Sequence, residues 1–380
     1  MKILHVVPFF AAKFGGSVTV PYELSKKLAK RKHDVTIITT DFGFDQQYAD
    51  MIRSEGVQVI PFPCIANLGL YLYSQSIKMW LKKNLKGFDI IHLHNYRSYQ
   101  NSVVWKYAMK FHIPYIISPH ASTPRIGEKK ILKWIYDVIS GYRLIRDASH
   151  IIAGSQEEKP YDIQMGARDE QVSIIYPGMD LDKYRSIPEK GLFKKKWGID
   201  GKIILYLGRI NNQKGIDFCI QAFADLVGKY DNLFFVIAGP DDGEKVHLEK
   251  LITAHKIEQN VIFTGFLEEN EKLSAYVDAD VFILTPIYMG GVGLTPLEAI
   301  LCGTPVIVND ACGEVIKIAK CGYIVKTGDV NDLLKKMNCA LENHEYNNKL
   351  VENGKRFIME NLIWEPIIQR VEILYEKCQQ

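Results

Sequence analysis

Short runs of consecutive apolar residues, rich in Val and Ile and each followed by a stretch of helical periodicity, recur along the chain. The first series is ILHVV, DVTIITT, VQVIPF, FDIIHLH, PYIIS, HIIAGS and VSIIYPG. The second is KIILYLGR, NLFFVIAGP, NVIFTGF, DVFILTP, TPVIVND and GYIVK. Runs without polar alternation suit strands covered on both faces, which means parallel sheets flanked by helices. The pattern therefore predicts two doubly wound α/β domains. Between the two series, DLDKYRSIPEKGLFKKKWGIDG is polar and rich in turn formers, which places the boundary around residues 180 to 200. In such sheets ligands bind beyond the carboxyl ends of the strands, so the residues directly after each apolar run are the ones to inspect. No repeat of solenoid spacing and no low-complexity tract interrupts this organisation.

A length of 380 residues, 47% hydrophobic and 24% charged, is more comfortable as two cores than as one. The opening MKILHVVPFF reads as a buried first strand rather than a signal peptide, because His5 and Pro8 break its apolar run. Nothing else has the length of a membrane span. Seven scattered cysteines without a CxxC pair argue against a disulfide framework or a zinc site and for a reducing, cytoplasmic location. The net charge is +3, but residues 1 to 180 carry 23 Lys and Arg against 16 Asp and Glu, while residues 181 to 380 carry 24 against 28. This asymmetry admits an anionic partner or membrane surface for the first half, or a simple scatter of surface charge.

Three stretches offer chemistry. Gly15 and Gly16 precede a helix with apolar positions Val18, Leu24 and Leu28, so the amides of a helix start are available to an anion; a turn that merely needs glycine accounts for them equally well. Arg209 stands at a strand end and Lys214 follows in the loop before Gly215 and a new helix. Two cations at a helix start suit a diphosphate, with Arg forking onto oxygens and Lys acting as a point charge; two solvated cations are the alternative. Third, MGGVGLTPLEA runs from a glycine turn into a helix beginning near Thr295 or Pro296. Glu298 is the only acid after Asp280 in this region. A carboxylate there either stabilises the helix dipole or accepts hydrogen bonds from ribose hydroxyls. The triplets DLD at 180–182 and DAD at 278–280 are discounted as metal sites, because Asp278 and Asp280 precede their strand and Asp180 lies in the linker. No His, Cys or carboxylate cluster has zinc or iron spacing.

The loop with GLTPLEA and CGTPVIV behind it resembles the signature of the retaining glycosyltransferases of family 4. The resemblance extends through KHDV, SPHAS, AGSQ, YPGMD, LGRINNQKG, IAGP, TGFL and NLIWEPIIQRVEILYEKC, nearly the whole chain. It implies the GT-B fold: two Rossmann-like domains facing a central cleft, with residues 1–180 binding acceptor, 181–360 binding the nucleotide sugar, and 361–380 forming a helix that crosses back to the first domain. It further implies that Arg209 and Lys214 bind the donor diphosphate and that Glu298 binds the ribose. Gly291, Val292, Gly293, Leu294 and Thr295 would contact the transferred sugar and phosphate, Gly15 and Gly16 the phosphate and acceptor, and Phe266 the base. His120 in SPHAS matches the histidine beside the donor sugar; spacing alone would make it a strand-end histidine satisfied by backbone groups. The chain departs from the family at Gly290, where the first of two glutamates seven residues apart is absent, which puts the donor preference in question.

The activity implied is metal-independent transfer, with retention, from a nucleotide diphosphate sugar to a glycan or lipid-linked acceptor, in envelope polysaccharide or glycolipid synthesis. No cofactor and no nucleic-acid partner are expected. Family enzymes of this kind close their domains to exclude water. Residues 68–87 and EKKILKWIYDVISGYRLIRDA combine lysines with aromatics, a composition that suits peripheral contact with the inner face of a membrane; for the second, a plain amphipathic helix with its apolar face buried is the favoured reading. A non-hydrolysing sugar-nucleotide epimerase shares this architecture, and Gly290 leaves open a non-catalytic nucleotide-sugar-binding homologue.

Overall fold

A computed structural model describes residues 1–11, 15–68, 71–127, 129–288 and 291–379, with the side chains of Ser17 and Leu68 excepted. Gly290 lies outside the described residues. The chain divides into two compact units, Met1–Gly178 with Trp364–Gln380, and Met179–Ile363.

In the first unit the strands are β1 (Lys2–Val6), β2 (Asp34–Thr40), β3 (Gln58–Phe62), a hairpin of β4 (Ala66–Leu68) and β5 (Tyr71–Tyr73), then β6 (Ile90–His94), β7 (Tyr115–Ser118), β8 (His150–Ala153) and β9 (Val172–Ile174). All but the hairpin form one parallel sheet in the order β3-β2-β1-β6-β7-β8-β9. Both faces are covered, which is why the strands read as unbroken apolar runs. Successive residues of β1 feed opposite cores: Leu4 and Val6 join Leu93 and Tyr96 on one side, while Ile3 and Val7 join Val35, Ile90, Trp364, Ile367 and Ile368 on the other. The helix Trp364–Gln379 thus contributes to the core of this first unit.

The helical segment Lys130–Arg146 corrects the reading of a buried apolar face. Ile131, Leu132, Trp134, Val138 and Ile139 are all more than half exposed. The cause lies on the other side of the segment. Asp137 is fully buried and takes hydrogen bonds from Arg97 Nε at 2.9 Å and Nη2 at 2.8 Å. Arg97 also donates to the carbonyls of Ser122 (2.5 Å) and Thr123 (2.7 Å). Gly141 packs so closely on Tyr96 that a Cβ there would lie 2.1 Å from the Tyr96 hydroxyl oxygen. Small and polar residues therefore face inward through a π-helical turn, Asp137–Gly141, which leaves Ile131, Leu132, Trp134, Val138 and Ile139 outside, while Leu144 and Ile145 at the end of the segment join the core. In the other basic stretch, the helix Gln75–Asn84 does bury Ile77 and Leu81 and leaves its lysines in water.

The second unit contains β10 (Lys202–Leu207), β11 (Leu233–Ala238), β12 (Val261–Gly265), β13 (Val281–Leu284), β14 (Val306–Asn309) and β15 (Tyr323–Val325), a parallel sheet in the order β12-β11-β10-β13-β14-β15. In both sheets the first strand lies in the interior and the order reverses beside it, between β1 and β6 and between β10 and β13. Ligands of such folds sit beyond the strand ends at these reversal points. The two Asp triplets are accounted for structurally in part. Asp278 accepts the amides of Gly191 and Lys194 (2.9 Å to Lys194), and Asp280 accepts that of Ile203 at 2.8 Å.

Candidate functional site

At the reversal point of the second unit, the loop leaving β10 is pressed against the loop leaving β13. Gly215 makes this possible. It has φ 64°, and a Cβ there would lie 2.2 Å from the carbonyl oxygen of Thr285, so a side chain is excluded by both backbone conformation and space. The neighbouring amide of Ile287 donates to Gln213 O at 3.0 Å. Gly239, at φ +135°, does the same between β10 and β11, where a Cβ would meet Gly208 O at 1.9 Å. On this tightly seated loop stand Arg209 and Lys214. Arg209 is exposed and donates from Nη1 to Asp242 Oδ2 at 2.8 Å, an acceptor it shares with Asn211 Nδ2 at 2.9 Å. Lys214 is more enclosed, and among the described residues no carboxylate reaches its Nζ. Burial, and after it the charge of Arg209, draw its pKa below the usual lysine value.

From β13 the chain passes to the helix Leu294–Leu301. Its N-cap Gly293 offers no side-chain acceptor, and its first turn has no carboxylate, so the leading amides are available to an anion. The helix begins one or two residues before the position expected from Thr295 or Pro296. Glu298 lies in the second turn, only slightly exposed, with polar partners. Tyr276 Oη donates to its Oε2 at 2.9 Å, and Lys272 Nζ lies 3.3 Å from the same oxygen. Burial opposes the charge on Lys272, yet the carboxylates of Glu298 and Glu269 hold that ammonium above its ordinary pKa. Burial and the Glu298 carboxylate push the Tyr276 phenol well up.

The first unit carries a different group at its own reversal point. His5 of β1 lies opposite His92 of β6, and His94 opposite Ser118. Because residues two apart share a sheet face, His5, His92 and His94 occupy one face, at positions where the pattern would otherwise place aliphatics. All three are buried. His5 Nδ1 is 2.8 Å from His94 Nε2, and His94 Nδ1 is 3.1 Å from His120 Nε2. His92 is held by Tyr375 Oη at 2.7 Å and Ser118 Oγ at 2.8 Å. Burial lowers every one of these imidazoles: His5 to about 3, His120 to about 4, and the other two well below the ordinary value. His120 and Ala121 both have positive φ, 51° and 57°, a left-handed pair outside glycine that needs a tether. Glu158 supplies one by accepting the amides of Ala121 (3.1 Å) and Gly154 (3.2 Å). Gly15 is the exposed N-cap of the helix Gly16–Lys30, at φ 70°; that helix start likewise has no side-chain cap and no acid in its first turn.

Comparison with known families assigns both units. The profile of Glycosyltransferase Family 4 matches residues 14–183, and that of Glycosyl transferases group 1 matches residues 189–357. The chain belongs to this glycosyltransferase family. An uncharacterised 41.2 kDa protein of the cps region of Klebsiella pneumoniae is 30% identical over 69% of this glycosyltransferase and 72% of that protein. Mannosylfructose-phosphate synthase of Agrobacterium fabrum is 24% identical, over 97% and 88% of the two chains. Among solved structures, Anabaena HepE in complex with UDP-glucose superposes with a TM-score of 0.84 at 20% identity, covering 99% of this chain and 100% of that one. The fold is GT-B.

Within the second unit of the glycosyltransferase, Arg209 and Lys214 share one loop at the strand ends flanking the reversal point, and Gly291 to Thr295 lead into the helix of the adjoining β13 segment. Phe266 is farther off: it follows β12, at the sheet edge two strands from β10, and is 47% exposed. Sequence reasoning missed the partners. Asp242 on Arg209, and Tyr276 and Lys272 on Glu298, come from segments 22 to 33 residues away, with no local motif to mark them. The histidines left a clearer trace, HLH on one strand and a single His on the strand that pairs with it.

Proposed function

We propose that this glycosyltransferase moves a sugar from a nucleoside diphosphate sugar to a glycan or lipid-linked acceptor, with retention at the anomeric carbon and without a metal ion. The observation that carries the reading is the meeting of Arg209, Lys214, which no carboxylate among the described residues pairs, and the uncapped helix Leu294–Leu301 at one reversal point. A leaving nucleoside diphosphate gains negative charge as its bond to the sugar breaks. Preorganised cations and amides lower the energy of that state. Lys214, with no counter-ion among the described residues and already disfavoured as a buried cation, gains most from a dianionic partner. Arg209 forks onto the same diphosphate once it leaves Asp242, and the amides of Gly291 to Thr295 take the remaining oxygens. Glu298, oriented by Tyr276 and Lys272, receives the ribose hydroxyls; Phe266 touches the base, His120 the transferred sugar, and Gly15 and Gly16 the phosphate and acceptor. Retention follows from front-face attack, in which the departing phosphate oxygen takes the acceptor's proton. HepE, solved with UDP-glucose, and the relative from a cps region support a nucleotide-sugar donor and an envelope polysaccharide or glycolipid product.

Ligand that binds only the native state stabilises it, by about 2.7 kcal/mol at a hundredfold excess over Kd. A melting screen of UDP, GDP, ADP and dTDP sugars is expected to raise Tm for one nucleotide class. Product analysis then discriminates: a new glycosidic bond with retained configuration supports the proposal, an epimerised donor supports a non-hydrolysing epimerase, and binding without turnover supports a non-catalytic homologue in which Gly290 has removed function.

A second reading concerns the acceptor. The apolar face of Ile131, Leu132, Trp134, Val138 and Ile139, flanked by Lys129, Lys130 and Arg143, suits an anionic lipid surface at the cytoplasmic side of a membrane. Anionic vesicles at low salt are expected to sediment the protein, and L132D/I139D to leave it in the supernatant; equal sedimentation of both proteins removes this reading.

A further inference from the structure

Three imidazoles in series, His5 to His94 to His120, run from a fully buried strand position to the partly buried turn after β7. A neutral imidazole has one N–H and one bare nitrogen. In a head-to-tail row, the direction of the first bond therefore fixes all the others. Two directions exist. If His120 donates from Nε2, His94 must donate to His5, and the His5 proton is forced onto Nε2. That atom is buried and meets no hydrogen-bond partner among the described residues. If instead His5 donates from Nδ1, the unmatched atom is a lone pair rather than an N–H. Among buried backbone groups an orphaned N–H is rarer than an under-satisfied carbonyl, and the same preference, carried to an imidazole, favours the second direction.

We propose that His5 and His94 are positioning residues that lock His120 as the tautomer protonated on Nδ1, so that it presents an N–H donor, and not a base, to whatever lies beside it. His94 Nδ1–H then donates to His120 Nε2, which is thereby occupied as an acceptor. Metal binding by His5, His92 and His94, whose ligand atoms lie within 4.8 Å of one another, is the competing account of the cluster. It fits less well because His92 already uses both nitrogens on Tyr375 and Ser118, and His94 uses both on His5 and His120. The inference rests on the proposed function only in placing the transferred sugar beside His120; the tautomer itself is set by the imidazole row.

Long-range ¹H–¹⁵N correlation spectra of histidine-labelled full-length protein at pH 7.5 report each tautomer directly. The expected pattern is a protonated Nδ1 and bare Nε2 for His5, His94 and His120. A protonated Nε2 on His120 overturns the proposal, as does stoichiometric zinc binding that shifts the His5, His92 and His94 signals. In His94→Leu, His120 is expected to become a mixture of tautomers, and kcat/KM for the nucleotide sugar to fall about tenfold, the scale of one lost hydrogen bond. His94→Gln keeps an amide donor and is expected to recover most of that rate. An unchanged His120 spectrum in a folded His94→Leu protein sinks the proposal. Because the wild-type spectrum needs no substrate, a failure of the transferase reading remains distinct from a failure of the tautomer lock.

Discussion

The two reversal points share one topology and opposite electrostatics. Beside β1 and β6 the polar groups are imidazoles, buried and kept neutral by desolvation. Beside β10 and β13 they are an exposed arginine and a more enclosed lysine on one loop. Burial acts on both in the same sense, since it disfavours the charged form. The outcome differs because an imidazole, whose ordinary pKa of 6.5 is already below neutrality, is easily neutralised, whereas lysine starts four units higher at 10.5. The fold supplies an address in each unit, and the residue type decides whether that address offers hydrogen bonds or charge. In the proposed reaction this is a division of labour: neutral donors for a sugar in the first unit, cations for a diphosphate in the second.

The largest effect should come from Lys214, the more enclosed of the two cations. Lys214→Ala is expected to lower kcat/KM about 10²- to 10³-fold, the range seen when one preorganised stabiliser of developing charge is lost. Most of this should appear in kcat, and melting should change little. Steady-state rates with a saturating acceptor measure it. A loss below tenfold would mean that the charge contrast between the units carries little of the catalysis.

Acid tests the neutral side of the comparison. The folded-state pKa values of His5 and His120 lie near 3 and 4, below the ordinary 6.5, and those of His92 and His94 are lowered in the same direction. Between these limits the unfolded chain binds more protons than the native one, so stability falls as pH drops from 6.5 towards 4. The contribution is fully present above 6.5. Denaturant melts at stepped pH should show this decline, and a His94→Gln protein should show a shallower one. A flat profile from pH 7 to 5 would place these imidazoles in water rather than in the core.

Both sheets were legible because each strand is covered on two faces and reads as an apolar run, and the cation loop because its residues are neighbours in sequence. Other features were hidden for physical reasons. The apolar spacing of residues 130–146 is that of a helix with one face in a core, but periodicity does not say which face turns inward. The Arg97–Asp137 pair and the close approach of Tyr96 to Gly141 decide that, and both are contacts across many residues. In β1 and β6 the histidines sit in strand rhythm, so their pattern looked like ordinary strand composition until pairing set His5 opposite His92.

Glu298 tests how far the second unit depends on polar groups besides cations. Glu298→Gln keeps the shape and removes the charge that faces Lys272. About a tenfold rise in the donor KM is expected, with kcat altered less, because a ribose contact is made equally in ground and transition states. The comparison is sharpened if nucleoside diphosphate without sugar loses affinity by the same factor, since that assigns the loss to the nucleoside half of the donor.

The smallest effect concerns Arg209, which is engaged by Asp242. Both side chains are nearly half exposed, at 45% and 46%, and an ion pair in that setting contributes about 0–1 kcal/mol. Asp242 therefore competes only weakly with an incoming diphosphate. In Asp242→Asn the guanidinium is freed of its counter-charge, and nucleoside diphosphate affinity is expected to rise by no more than about threefold, within that same energy range. The gain should shrink at high salt, where exposed charges are screened. Titration calorimetry at two ionic strengths reads both. If affinity instead drops tenfold, Asp242 is what aims Arg209 at the phosphate, and the exposed cation depends on its anchor as His120 depends on His94.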